Sequence, residues 1–233
     1  MDFDRSRRTF CTKLRRLKFS EPTAYVYNPL EYACASYNKY LDQFAQGKKK
    51  ALFLGMNPGP YGMAQTGIPF GEISLVRDWM GICEPLGKLP KQHPKRPLQG
   101  FQCEKSEVSG RRLWGLFSEK FPKPKQFFKD HMVLNYCPLV FMEESGRNRT
   151  PDKLPAEETE PLFAICDDYL DKLIKTLEPR YLIGVGAFAQ KQLQRIRPGS
   201  ETFKILHPSP ASPAANRGWA EAAQKQLMEI GVW

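Results

Sequence analysis

The sequence predicts a three-layer α/β/α fold, in which helices cover both faces of a central four-stranded, mostly parallel sheet. Helical patterns alternate with short apolar runs along the chain, and this alternation is typical of parallel sheets. The runs have the length of buried strands, and each is followed by Gly, Pro or a polar turn. They lie at Ala51–Gly55, Met132–Asn135, Tyr181–Val185 and Phe203–Leu206.

Length and composition predict one domain over residues 1–233. A chain of 233 residues with 41% hydrophobic residues can close one sizeable core. No segment resembles a linker long enough to separate two folds. Residues 1–20 are rich in Arg and Lys and have few periodic apolar positions, which predicts a basic N-terminal arm or a short helix.

Residues 28–47 predict a helix. Asn28 can cap its N-terminus, Pro29 suits the first helical position, and Glu31 follows in the first turn. Apolar residues then recur at helical spacing until Gly47, which predicts the end of the helix.

The later helices are predicted from the same spacing. The clearest is Pro161–Leu177, and the others are Ile73–Met80, Arg111–Lys120, Phe188–Arg195 and Asn216–Ile230. Between Cys83 and Gly110 the chain is rich in Pro, Gly, Lys and Gln without periodicity, which indicates an irregular surface excursion.

The charge balance favours a polyanionic partner. Lys and Arg number 35 against 25 Asp and Glu, a net charge of +10, which suits nucleic acid or an anionic membrane surface. No apolar run could span a bilayer and no apolar signal segment follows the N-terminus, so we expect an intracellular protein without membrane association. The six Cys and three His are too dispersed to suggest a metal site, and we expect neither metal nor cofactor.

Polar residues follow three of the predicted strands. Ligands of open α/β sheets bind beyond the carboxyl ends of the strands, so Asn57, Asn135 and His207 should converge on one pocket. The Gly- and Pro-rich turn at residues 55–62 could instead cradle phosphate. However, no Gly-Lys-Ser/Thr follows it and its spacing is not that of a dinucleotide fingerprint.

Several motifs resemble those of one family, the single-strand-selective monofunctional uracil-DNA glycosylases. The most specific are Asn57–Pro60, Met63–Glu72 and His207–Pro210 with Asn216 and Trp219. Similarity extends in order along nearly the whole chain, through Tyr27–Tyr32, His93–Pro97, Ser106–Gly110 and Ser145–Asn148.

This resemblance implies a uracil-DNA glycosylase-like fold and a base-excision-repair activity. Such an enzyme hydrolyses the N-glycosidic bond of uracil and of 5-substituted uracils such as 5-hydroxymethyluracil, in single- and double-stranded DNA. It leaves an abasic site without cleaving the strand. A strand-cleaving imine would need an amine nucleophile, and the motif turns offer no lysine at pocket-facing positions.

The resemblance assigns catalysis to His207 and Asn57. Bond cleavage leaves negative charge on the base, and His207 would donate a hydrogen bond to its O2. An amide cannot take a proton from water, so Asn57 would only orient the attacking water. Taken alone, a His in a turn is more often structural, and Asn57 before Pro58 could simply form the turn.

The resemblance also assigns base recognition. Asn135 would donate to O4 and accept from N3–H, a pattern that cytosine inverts, although its residue type and position fit a strand-end cap equally well. Phe70 would stack on the flipped base, and by itself would be interpreted as core. Met56, Gly59 and Tyr61 would complete the pocket, with Gly59 leaving space near C5 of the base.

DNA contacts are expected around the turn from Pro208 to Arg217, which resembles the family's wedge segment. Ala211 stands where a larger basic residue is often found, so the vacated stack would be filled less well. The candidate DNA-binding residues are Ser209, Pro210, Ala211, Asn216, Arg217, Lys95, Arg96, Arg111 and Arg112. We expect a monomer, located in the cytoplasm if the source is bacterial and in the nucleus if it is eukaryotic.

Two other function classes stay open from the sequence. One is a nucleic-acid-binding module that keeps the fold without the chemistry. The other is a glycosylase of the same superfamily with another base preference, such as xanthine, hypoxanthine or mismatched thymine. An α/β domain with merely polar strand ends is the plainest alternative, and it predicts no activity that depends on Asn57, Asn135 or His207.

Overall fold

The computed structural model describes residues 1–233 and contains two sheets. The larger sheet has four strands in the order β3-β2-β6-β7, and every neighbouring pair is parallel. The smaller sheet is antiparallel with the order β1-β4-β5. The strands are β1 Tyr25–Tyr27, β2 Ala51–Gly55, β3 His131–Asn135, β4 Val140–Met142, β5 Asn148–Arg149, β6 Tyr181–Val185 and β7 Thr202–Ile205.

Helices flank the parallel sheet on both faces, which confirms the predicted three-layer α/β/α fold. They join successive parallel strands, as such a sheet requires. The helices are α1 Phe3–Leu14, α2 Pro29–Tyr32, α3 Cys34–Phe44, α4 Met63–Thr66, α5 Val108–Lys120, α6 Pro124–Asp130, α7 Ala156–Leu177, α8 Ala187–Ile196, α9 Pro213–Asn216 and α10 Trp219–Ile230.

The core is continuous through the sheet and its helices. A single cluster of 51 buried hydrophobic residues runs from Phe3 near the N-terminus to Val232 at the C-terminus. Every residue of β2 is buried because this strand is paired on both edges and covered on both faces. The buried sheet therefore fixes where the turns beyond its strands emerge.

The four central strands were predicted within one residue of their ends, and the small sheet was not predicted. Its strands have only two or three residues, too few to show a period of two. It matters for function because Asn148 of β5 lies beside the cavity described below.

The basic N-terminal segment forms a helix that docks on the core. Asp2 caps α1 by accepting a hydrogen bond from the Arg5 amide at 2.9 Å, and one face of the helix is buried. Arg7 lies within that buried face, where its guanidinium donates to Asn38 Oδ1 at 2.9 Å and to the Leu30 carbonyl at 2.8 Å. The sequence left an arm and a short helix both open, because a buried arginine resembles a surface charge until its partners are known.

The helix predicted over residues 29–44 is broken at Ala33. The Tyr32 carbonyl accepts a hydrogen bond from the Gly87 amide at 2.6 Å, and Ala33 adopts φ −108° and ψ 29°. In a continuous helix the Tyr32 carbonyl would accept a hydrogen bond from an amide of the next helical turn, and here it accepts one from the Gly87 amide of a distant loop. The prediction of one helix was wrong for this tertiary reason.

Four other helix predictions needed smaller corrections. The segment at Ile73–Met80 forms a π-helical turn, Leu75–Trp79. The acidic start of α7 extends it upstream of Pro161 to Ala156, and α5 begins at Val108 instead of Arg111. The C-terminal helix divides into α9 and α10, because Gly218 between them has φ 128°. No helix combines the length and the apolar character needed to cross a bilayer.

We predict that Arg7→Met lowers the free energy of unfolding by about 1–3 kcal/mol, because it leaves the buried Leu30 carbonyl without its donor. Arg8→Met is the matched control, since Arg8 pairs with the same Asp4 but its side chain is 73% exposed. The control should stay within about 0.5 kcal/mol of the parent in urea unfolding. Equal effects of the two variants would mean that α1 does not depend on its buried arginine.

Candidate active site

A cavity of about 220 Å³ opens beyond the carboxyl ends of β2 and β7. Turns from both parallel strands and from α5 and β5 form its walls, as expected for an open α/β sheet. Its lining residues are Met56, Asn57, Pro58, Gly59, Met63, Phe70, Glu107, Ser109, Asn148, Thr150, His207 and Ser209.

Larger cavities lie elsewhere but lack comparable chemistry. One of about 490 Å³ lies between α1 and α7, where the amines of Lys13 and Lys172 are paired with Asp168. Another of about 450 Å³ lies beside residues 14–31 and is lined by apolar and charged residues together, and one of about 600 Å³ is lined only by charged and polar residues of α1 and its ends. No group of three or more His, Cys, Asp or Glu side chains is arranged to hold a metal ion.

His207 lies two residues beyond β7 and its ring has a fixed orientation. Its Nδ1 accepts a hydrogen bond from the Ser209 amide at 3.1 Å. Burial lowers the pKa of His207, so the ring is neutral near pH 7. A neutral imidazole that accepts at Nδ1 carries its hydrogen on Nε2, and this nitrogen is therefore a hydrogen-bond donor.

Gly186 permits the close packing behind His207. It follows β6 with φ 92°, a conformation that favours glycine. A Cβ at this position would lie 3.1 Å from the Cβ of His207. The β6–α8 turn thus supports the histidine from one side, while the centroid of the Phe70 ring lies 6.1 Å from that of the imidazole.

Asn135 ends β3 directly opposite Gly55 of β2 and, unlike Asn57 and His207, is not among the residues that line the cavity. A Cβ on Gly55 would overlap both Asn135 Oδ1 and the Phe70 ring, so the glycine brings these side chains together. Asn135 Nδ2 contacts the Met63 sulfur at 3.2 Å, while Oδ1 is buried without a hydrogen-bond partner. A buried acceptor without a partner is costly, which favours a ligand that donates to it.

Phe70 has a strained backbone. Its φ of 55° is unusual for a residue other than glycine, and such strain is concentrated at functional sites. The Trp114 indole donates to the carbonyl of neighbouring Pro69 at 3.0 Å, and the backbone of Gly110 packs against that of Phe70. These contacts hold the ring over the cavity.

Asn57 lies two residues beyond β2 and lines the cavity. Its Nδ2 donates to the Leu139 carbonyl at 3.2 Å, and Oδ1 makes no hydrogen bond within the protein. The amide is therefore oriented with its oxygen as the available acceptor. Such an oxygen can accept from a water molecule but cannot remove a proton from it at neutral pH.

Glu107 is a cavity residue that sequence reasoning missed. It immediately precedes α5, and its Oε2 accepts a hydrogen bond from the Tyr61 amide at 3.1 Å. Burial raises the pKa of Glu107 to about 7. The Ser106–Gly110 motif was noted for its resemblance, but an isolated Glu beside a predicted loop carries no signal of burial.

The other predicted base-binding residues are placed unevenly. Met56 and Gly59 line the cavity, whereas Tyr61 is not among the lining residues. The Tyr61 ring instead contacts Arg96 and Lys105, with the two cationic groups 5.2 and 5.0 Å from its centroid. Tyr61 thus faces the basic loop, and Met63 occupies the wall beside Asn135.

The turn from Pro208 to Arg217 lies beside the cavity and is braced from within. Arg112 donates to the Pro208 carbonyl at 3.1 Å and to Asn216 Oδ1 at 2.9 Å. Asn216 Nδ2 donates to the Pro210 carbonyl at 2.8 Å. Arg112 and Asn216, both predicted DNA-binding residues, have polar groups that are engaged in shaping this turn.

The remaining candidate DNA contacts divide into free and engaged groups. Pro210, Ala211, Arg217 and Arg111 are exposed near the cavity turn, and Ser209 lines the cavity. The Arg96 guanidinium donates to the Gly146 carbonyl at 3.1 Å and to the Tyr61 hydroxyl. Exposed Lys95 approaches the Ser145 carbonyl at 3.4 Å. Arg96 therefore also ties two loops together.

Comparison with known proteins identifies the family. A model described as the uracil DNA glycosylase superfamily matches residues 41–228. The chain belongs to the uracil-DNA glycosylase superfamily. Within it, the chain is 47% identical to the single-strand selective monofunctional uracil DNA glycosylase of Bos taurus, over 94% of this chain and 82% of that relative. The Mus musculus relative is 46% identical over 94% of this chain and 80% of its own length.

These relatives confirm the single-strand-selective monofunctional family that the motifs indicated. A solved uracil-DNA glycosylase structure, SMUG2 of Pedobacter heparinus, aligns with a TM-score of 0.67 and 16% identity, covering 96% of this chain and 97% of that one. At this identity the likeness concerns the fold alone, and it agrees with the three-layer architecture.

We predict that Glu107 makes folding stability depend on pH. The folded carboxyl has a pKa near 7, whereas an unfolded one ionises near 4.5, so the folded state keeps the proton more strongly. Its stabilising contribution is complete below pH 4.5 and is lost as pH rises toward 7, by up to about 3 kcal/mol.

Urea unfolding of the parent and Glu107→Gln between pH 5 and 8.5 measures this effect. Stability of the parent should fall relative to the variant as pH rises through this range, because the amide does not ionise. Glu104→Gln, which removes an exposed carboxylate three residues away, is the control and should track the parent. A constant difference between parent and Glu107→Gln would contradict the raised pKa.

Proposed function

We propose that this protein is a monofunctional DNA glycosylase that hydrolyses the N-glycosidic bond of uracil and 5-substituted uracils in single- and double-stranded DNA. The observation that carries this proposal is the meeting of a neutral Nε2–H donor and the Phe70 ring at one cavity, with the unpartnered Asn135 oxygen adjoining that ring over Gly55. An oriented Asn57 amide completes the grouping.

His207 supports departure of the base. When the bond between N1 and C1′ breaks, its electron pair remains on the base and spreads to the carbonyl oxygens. A hydrogen bond from Nε2–H to O2 stabilises that charge as it develops, and such donors contribute about 10²–10³ in rate. The hydrogen bond at Nδ1 holds the ring in the required tautomer.

Asn135 identifies the base. Uracil presents an N3–H donor and an O4 acceptor, which match the free Oδ1 and the Nδ2 of Asn135. Asn135 Nδ2 contacts the Met63 sulfur, and because a thioether is a weak acceptor, O4 of the base readily replaces it as the partner of Nδ2. Cytosine has an acceptor at N3 and a donor at C4, so each would face a group of the same kind on Asn135. The Phe70 ring stacks on either base and does not distinguish them.

Asn57 orients the nucleophile. Its free Oδ1 accepts a hydrogen bond from a water molecule, whose oxygen adds to C1′ as the base leaves and whose proton passes to solvent. An amide supplies no proton transfer, so the bond must be largely broken before water adds. No lysine lines the cavity, which agrees with hydrolysis without an imine and without strand cleavage.

DNA access is proposed through the turn at residues 208–217. A base must leave its stack to reach the cavity, and this costs less in a single strand than in a paired duplex. Exposed Arg111 and Arg217 are available for phosphates, whereas Arg112 keeps the turn in shape. One chain supplies every lining residue, so we propose a monomer acting as a single domain over residues 1–233.

We predict that the protein cleaves a labelled single-stranded oligonucleotide at its one uracil only after alkali treatment, in chelator without added metal. His207→Ala should lower single-turnover excision by about 10²–10³, because the oxyanion loses its donor. Asn57→Ala should also lower it greatly, because water is no longer oriented. Gln224→Ala, an exposed change on α10, should leave the rate unchanged.

Three results would change the assignment. Excision of xanthine, hypoxanthine or mismatched thymine without uracil would indicate another base preference in the same superfamily. Tight DNA binding with no excision of any of these bases would favour the binding module. Strand cleavage before alkali would contradict monofunctional hydrolysis.

We predict that Ala211→Arg raises excision from paired duplex DNA severalfold more than excision from single strands. A larger side chain at the exposed tip of the turn can fill the space that the extruded base leaves. Ala214→Arg adds the same charge at another exposed position of the turn and serves as the control. Equal gains for both variants on both substrates would show that charge, and not wedging, is responsible.

A further inference from the structure

The carboxyl group of Glu107 occupies the space left by the missing side chain of Gly59. A Cβ built on Gly59 would lie 2.6 Å from Glu107 Cδ and 2.9 Å from Oε1. The carboxyl also approaches Gly62, where a Cβ would lie 2.9 Å from Glu107 Cγ. Because residue 59 has no side chain, the carboxyl of Glu107, just before α5, can form part of the cavity wall.

This wall lies beside Asn135. The contact of 3.2 Å between Asn135 Nδ2 and the Met63 sulfur places the segment from Gly59 to Met63 next to that amide. Glu107 is attached to the same segment through the Tyr61 amide at 3.1 Å. The carboxyl of Glu107 and the amide of Asn135 therefore both contact the segment from Gly59 to Met63, and His207 lines the cavity from the turn after β7.

The position of C5 follows from the roles in the proposed function, on which this inference rests. With O2 at His207 and the N3–O4 edge at Asn135, C5 adjoins O4 on the side of the ring remote from O2. That side faces the wall formed by Gly59, Met63 and Glu107. A substituent on C5 consequently points toward the only carboxyl group that lines the cavity.

We propose that Glu107 determines which C5 substituents are accepted, by accepting a hydrogen bond from the hydroxyl of 5-hydroxymethyluracil and disfavouring the methyl group of thymine. Both bases present the same edge to Asn135 and the same face to Phe70, so neither of those residues can separate them. Only a group that faces C5 can do so.

The chemistry of the wall supports this discrimination. Oε2 accepts a hydrogen bond from the Tyr61 amide, the Gly62 amide also hydrogen-bonds to the carboxyl, and the carboxyl lines the cavity. A hydroxymethyl group supplies a further donor to it. A methyl group displaces water from the carboxyl but donates no hydrogen bond to it, and the loss of solvation without a new hydrogen bond is unfavourable for a polar group. Met56 and Met63, the other long side chains of this segment at the cavity, are apolar.

Substrate competition between variants tests the proposal. Single-turnover excision is measured from single-stranded oligonucleotides that carry uracil, 5-hydroxymethyluracil or thymine. Glu107→Met, of similar length but apolar, should lower the ratio of 5-hydroxymethyluracil to uracil excision by about tenfold or more and raise the ratio of thymine to uracil. Glu107→Gln keeps a polar group and should largely retain the parent ratios. Glu104→Gln, exposed on the same loop, is the control.

A loss by the same factor on all substrates would overturn the proposal, because it would make Glu107 a residue that positions the turn or activates water. A second measurement needs neither variants nor turnover. Free 5-hydroxymethyluracil should raise the melting temperature of the parent protein more than thymine does, and equal shifts would also overturn the proposal. Absence of uracil excision by the parent would instead count against the proposed function.

Discussion

The parallel pairing of β2 with β3 is the constraint on which the site depends. Its register sets Gly55 opposite Asn135, and the missing Cβ of Gly55 admits both the Asn135 amide and the Phe70 ring. Because both faces of the sheet are covered, a one-residue slip would exchange the side chains of a strand between two packed faces and would move Gly55 away from Asn135. The hydrophobic core therefore fixes the distance between the base-recognising groups, although none of its residues contacts a substrate.

Helix α5 connects the turns that the sheet alone would leave independent. Glu107, before its first residue, holds the turn after β2 through the Tyr61 amide. Gly110 packs closely against the backbone of Phe70, and Arg112 braces the turn after β7. Three residues at the N-terminal end of α5 thus hold the turn after β2, the Phe70 ring and the turn after β7 in place. Rigid secondary structure is a more precise support for such groups than loops are.

Sequence patterns predicted the central strands closely because β2, β3 and β6 are short apolar runs that are almost wholly buried, and the partly exposed β7 is short and ends before a polar turn. They also placed Asn57 and His207 at one cavity, since parallel strands end at the same edge of the sheet. The errors share a cause, which is contact between residues distant in sequence. Ala33 breaks a helix because the Gly87 amide takes the preceding carbonyl. Contact between distant residues also gives Arg112, a predicted DNA contact, a role in the fold, because Pro208 and Asn216 lie within its reach. Glu107 was missed because burial of a single carboxylate has no periodic signature.

Burial acts on the two titratable groups of the cavity in the same direction, toward neutrality. It lowers the pKa of His207 and raises the pKa of Glu107 to about 7. A departing base that carries negative charge requires this combination. A neutral imidazole donates a hydrogen bond without giving up a proton, and a carboxyl that is about half protonated near pH 7 repels the anion less than a fully ionised carboxylate would. Burial of Glu107 thus has two effects. It lowers the stability of the fold as the carboxyl ionises, and by favouring the neutral carboxyl it reduces repulsion of the anionic base.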